Sequence, residues 1–142
     1  MQRLILTREH WNRMRSHVES TRPREACGLL AGKGELVSDV LQISNQNGSE
    51  TTFRMDPVEQ IRAFNWMEAN GLELIGIYHS HPAGPETGVP GNSGPSATDV
   101  FEAAYPVAYV IWSRPEGTWQ ARCFSIEDGR ALEVELRVES GS

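Results

Sequence analysis

The sequence predicts a single α+β domain in which a mixed, mostly antiparallel sheet is flanked by about three helices. Three observations carry this expectation. Short apolar runs of strand length recur along the chain, each closed by glycine, proline, asparagine or serine. Between them, two segments combine helical spacing with helix-start chemistry. At 142 residues the chain is long enough for one substantial core, and it holds no internal repeat or linker that would divide it. The expected domain spans residues 1–138, with 139–142 as a short tail.

In order, Leu4-Ile5-Leu6 reads as a strand. Thr7 offers an N-cap, and Trp11, Met14, Arg15 and Val18 space out an amphipathic helix to about Ser20, ended by Thr21-Arg22-Pro23. Cys27 to Gly32 is a small-residue apolar strand, Gly32-Lys33-Gly34 its turn, and Leu36 to Ile43 the hairpin partner. After the polar loop Asn45–Ser49, Thr52 to Met55 is a short extended piece. Asp56, Pro57 and Glu59 then suit N-cap, N1 and N3 of a second helix. Its apolar face is expected to be Val58, Ile61, Phe64 (or Ala63) and Met67, and it stops near Asn70-Gly71. An apolar strand from Leu74 runs into Tyr78-His79-Ser80-His81-Pro82. Glycines and prolines alternate from Pro82 to Pro95, which makes a loop, and Ser96 opens a short third helix to Ala103-Ala104. Strands are expected at Val107–Trp112, Trp119–Ile126 and Leu132–Val138.

Bulk properties exclude several classes. The formal charge of −6 and the lack of any basic run disfavour a nucleic-acid partner. No apolar run approaches the roughly 18 residues of a membrane span, and the N-terminus turns polar too early for a secretory signal, so a cytoplasmic location is expected. Cys27 and Cys123 are too few for a disulfide framework and read as buried free thiols.

The chemistry concentrates at His79 and His81. Residues i and i+2 of a strand share a face, so both imidazoles aim at one point. Asp99 can add an oxygen ligand, and two nitrogens with one carboxylate and an open position make the ligand set of a catalytic zinc. Each part also has an ordinary reading. The histidines can be half-buried strand residues, Ser96-x-x-Asp99 can be a capping box, and Glu25 can be a solvated acid beside Arg24. A purely structural zinc site would normally have four protein ligands. Cys27 is a poor fourth, because its apolar strand context favours packing.

Glu25, then His79-Ser80-His81-Pro82, then Pro95-Ser96-x-x-Asp99 resembles the JAMM motif of the MPN-domain (MPN+) zinc metalloproteases, in their compact prokaryotic form. The strand Glu25-Ala26-Cys27-Gly28-Leu29-Leu30-Ala31-Gly32 is similar to that family's first motif, and the likeness extends from about Leu4 to Val138. The resemblance implies the MPN (cytidine-deaminase-like) fold, with one zinc ion held by His79, His81 and Asp99. It implies Glu25 as the base that takes a proton from zinc-bound water and passes it to the leaving amine, and Ser96 as oxyanion donor. It also implies hydrolysis after the C-terminal Gly-Gly of a ubiquitin-like or sulfur-carrier protein, the leaving group being a lysine side chain or a single amino acid. Because MPN domains are often paired, a homodimer is a further expectation. The other class is a catalytically silent MPN scaffold that binds partners, but such members typically lack ligands or the glutamate. One departure stands out: fourteen residues, Pro82 to Pro95, separate the second histidine from the serine, where the family usually has seven. That loop is expected to bulge outward and to border the substrate groove.

Overall fold

The computed structural model describes residues 2–47, 53–82 and 105–140. Thr7 both ends a strand, β1 (Arg3–Thr7), and starts a helix, α1 (Arg8–Thr21). Its hydroxyl accepts the His10 N–H at 3.2 Å, and His10 Nδ1 accepts the Thr7 N–H at 3.1 Å, so two otherwise orphaned donors are satisfied reciprocally. Of the spaced apolar positions, Met14 and Val18 are fully buried and Trp11 is half-buried, while Arg15 points to solvent.

The hairpin falls where the sequence puts it, as β2 (Cys27–Lys33) and β3 (Leu36–Ile43), joined through Gly34 at φ +60°, a left-handed conformation that glycine adopts without steric cost. In α2 (Pro57–Ala69), Asp56 accepts from the N–H groups of Val58 and Glu59, and Pro57 fills N1. Glu59 does not complete the cap; its carboxylate accepts the Ser44 N–H at 2.9 Å and ties the helix to the end of β3. The helix closes at Asn70-Gly71 with Gly71 at φ +67°.

The predicted face of α2 needs correcting. Ala63 and Met67 are buried, but Val58 and Ile61 are 56% and 60% exposed. At about 100° per residue, Val58 and Ile61 lie on the side of the helix away from Ala63 and Met67, with Phe64 half-buried beside that stripe.

Four further strands follow, β4 (Glu73–His81), β5 (Ala108–Ser113), β6 (Gln120–Glu127) and β7 (Arg130–Glu139). The seven strands run in the order β1-β3-β2-β4-β5-β6-β7 and close into a barrel, a closure the sequence does not predict. Closure comes from β1, which pairs in parallel with β3 through Ile5↔Leu36 and with β7 from Arg3↔Glu135 to Thr7↔Glu139. The pairing is mixed, with β4–β5 also parallel and the remaining four pairs antiparallel. Two helices lie among the described residues; the third, expected over 96–104, falls outside them.

Alternation along the strands builds two apolar clusters. Tyr78, Val110, Trp112 and Leu30 share one with Met14 and Val18 of α1. Cys27, Leu29, Ile77 and Ile111 share the other with Ala63 and Met67 of α2. By the same alternation, His79 and His81 fall on the α2 face.

Candidate active site

The register of β2 against β4 sets the site. Cys27 pairs with His79, and one step further the Ser80 N–H donates to the Ala26 carbonyl at 3.0 Å. Glu25 therefore lies one more step along, across from His81 and on the side of the sheet that carries both histidines. All three are buried: Glu25 is 4% exposed, His79 2% and His81 9%. The two imidazoles converge, with Nε2 of His79 and Nε2 of His81 3.1 Å apart and the rings inclined at 60°.

That separation suits a shared metal. Two nitrogens about 2.0–2.1 Å from one zinc at a tetrahedral angle lie about 3.3 Å apart. Two convergent imidazole nitrogens are donors of the kind zinc takes, and buried Glu25 lies across the register from them. Among the described residues no group of three or more ligating side chains comes together. Asp99 and Ser96, the predicted third ligand and oxyanion donor, lie outside them, as does all but Pro82 of the loop expected from Pro82 to Pro95.

Several neighbours complete the wall. Phe53 stacks on His79, ring centroids 4.6 Å apart and planes 28° from parallel. Asn45 donates through Nδ2 to the Glu25 carbonyl at 2.9 Å, while its Oδ1 accepts the N–H groups of Asn47 and Arg54. Ser113 of β5 pairs with His81 and places a buried hydroxyl on the histidine face. Cys27, opposite His79, has its thiol pushed up to about 12 by burial first and by the Glu25 and Glu59 carboxylates second. It donates weakly to the Ile43 carbonyl at 3.5 Å, in keeping with a packing role.

Phe53, Asn45 and Ser113 were not singled out from the sequence. Phe53 reads there as part of a short extended piece, Asn45 as polar loop and Ser113 as the residue just past a strand expected to end at Trp112. Only pairing across the fold brings them to Glu25 and the histidines.

The described part of the site is thus a strand-end histidine pair with buried Glu25 across the register. The family described as prokaryotic homologs of the JAB domain matches residues 7–126, and the chain belongs to it. Similar proteins include a probable TtuB-protein conjugate cleaving protease of Thermus thermophilus, 37% identical over 119 residues, covering 83% of this chain and 72% of that protein. A desampylase of Pyrococcus furiosus is 33% identical, covering 95% and 91%. The CysO-cysteine peptidase of Mycobacterium tuberculosis is 30% identical, covering 95% and 90%. A solution structure of a Desulfitobacterium hafniense protein superimposes with a TM-score of 0.83 at 33% identity, covering 97% of this chain and 94% of the other.

Proposed function

We propose that this protein is a zinc-dependent peptidase or isopeptidase that hydrolyses the bond after the C-terminal Gly-Gly of a ubiquitin-like or sulfur-carrier protein. The observation that carries the reading is the buried Glu25 carboxylate across the register from two imidazoles whose Nε2 atoms converge to 3.1 Å. Relatives whose names describe cleavage of protein conjugates or of a carrier–cysteine bond support the substrate class.

His79 and His81 would hold zinc together with Asp99. When bound, zinc supplies Lewis acidity and brings the pKa of water from about 15.7 towards 7. Glu25 accepts a proton from the attacking water as its oxygen bonds to the terminal glycine's own carbonyl carbon. It then returns that proton to the leaving nitrogen as the bond between that nitrogen and the attacked carbonyl carbon breaks, so the carboxylate ends as it began. Ser96 donates its hydroxyl to the carbonyl oxygen as negative charge develops there, a contribution typically worth about 3 kcal/mol. Phe53 and the α2-side cluster keep water from the histidine face, which strengthens each of these interactions.

The test is a panel of ubiquitin-like carriers from the same genome, each fused through its terminal Gly-Gly to cysteine, to another amino acid or to a lysine side chain. Chelator-sensitive cleavage of one fusion type is the expected result and identifies the leaving group. Cleavage of none, by protein of verified zinc content, sinks the reading in favour of a binding scaffold.

A further inference from the structure

One peptide unit beside the site is held at both ends by side chains. The carbonyl of the Glu25–Ala26 peptide accepts from Asn45 Nδ2 at 2.9 Å, and its N–H donates to Ser80 Oγ at 2.8 Å. In a regular antiparallel ladder the Ala26 N–H would donate to the Ser80 carbonyl, answering the bond from the Ser80 N–H to the Ala26 carbonyl. Here a hydroxyl replaces that carbonyl. The replacement falls where β2 begins, at Cys27, while β4 runs on through Ser80 to His81. Glu25 thus sits just outside the ladder, and side chains fix its backbone where strand pairing does not.

Both clamping residues are themselves anchored. Ser80 is fully buried, lies between the two histidines, and points to the sheet face opposite theirs. Asn45 is gripped through Oδ1 by the N–H groups of Asn47 and Arg54, and it bridges to Met55, two residues beyond the phenylalanine that stacks on His79.

We propose that Ser80 and Asn45 are positioning residues that clamp the Glu25–Ala26 peptide and so hold the Glu25 carboxylate in register with the histidine pair. This rests on Glu25 being the base. Misplacing a reacting group by about 1 Å can cost on the order of 100-fold in rate, so a clamp of this kind acts on turnover without touching substrate.

Amide hydrogen exchange of the full chain without metal tests the clamp directly. The Ala26 N–H should exchange at least about tenfold faster in Ser80→Ala, with global stability measured in parallel. Unchanged exchange in a folded variant overturns the proposal. With zinc loaded, Ser80→Ala and Asn45→Ala should each keep one zinc per chain and a KM within about twofold, while kcat falls about 10- to 100-fold. Ser80→Thr, which keeps the hydroxyl, should recover most of that loss. Asn45→Asp keeps both acceptor bonds but loses the donor to Glu25, so it should be as slow as Asn45→Ala; wild-type turnover in it overturns the clamp. Adding either alanine change to Glu25→Gln should slow it less than about twofold further, because the clamp has then lost the group it positions. Wild-type cleavage by Glu25→Gln would instead refute the base. Inactive Glu25→Gln beside fully active clamp variants would refute the clamp alone.

Discussion

The two faces of β4 are put to different uses. On the α1 face, Tyr78 lies against bare Gly28, where any Cβ would overlap its ring, and its hydroxyl is 2.7 Å from His17 Nδ1. Next to it Trp112 is fully buried, with Trp11 of α1 against it at 4.9 Å between centroids. On the α2 face, one and three residues beyond Tyr78, the side chains are His79 and His81, with Glu25 across the register. Glu25, His79 and His81 are buried beside the apolar cluster that Ile77 shares with Ala63 and Met67 of α2. The polar groups of the site thus concentrate on the α2 face of these nine residues, while the α1 face is given to packing apart from Ser80. Stability and turnover should therefore separate by mutation more cleanly than their proximity suggests.

The largest effect is expected at Glu25. Glu25→Gln should lower kcat by about 10²- to 10⁴-fold while its midpoint in denaturant stays close to wild type. A large loss of stability in that variant would break the division between faces. Trp112→Ala should do the reverse, destabilising by about 3–5 kcal/mol in chemical unfolding, with zinc stoichiometry kept by whatever fraction remains folded.

A subtler difference comes from His17, whose pKa is held below its ordinary 6.5 by burial. Above that pH it is neutral folded and unfolded, and contributes nothing to the slope. As pH falls below about 6.5 the unfolded chain takes up a proton that the folded chain resists, so stability drops. His17→Gln should lose less stability than wild type between pH 7 and pH 5, measured as the difference between the two profiles. The smallest effect is expected at Ile61, on the exposed flank of α2. Ile61→Ser should shift stability by no more than about 0.5 kcal/mol, and a shift above 2 would mean that this flank packs against something.

Much of this was legible in the sequence because its cause is local. Thr7, Asp56-Pro57 and Asn70-Gly71 fix helix ends through their own backbone chemistry. The His-x-His spacing converges on one face because strand geometry requires it. What was not legible depends on distant partners. No residue in Leu4–Leu6 announces that β1 will lie between β3 and β7 and close a barrel, since those contacts join the two ends of the chain. Val58 and Ile61 lie on the other side of α2 from Met67, so apolar residues occur on both sides of the helix and only the packed structure decides which side is covered. Asn45 and Phe53 illustrate the same limit at the site, where a loop residue and a short extended piece acquire meaning only against Glu25 and His79.

The parallel pairing of β4 with β5 has a consequence for how this scaffold can change. The strands run in register from Gly76↔Ala108 to His81↔Ser113, so the chain leaves the pair at the histidines and must rejoin it at the far end, whatever the length between. Joining two fixed ends costs free energy only as the logarithm of the length between them, so doubling that length adds about 0.6 kcal/mol. A connection between these two strands can thus change length at small cost to the barrel they belong to. The register that aims the histidines is set by the strand pairs and stays as it is when that length changes.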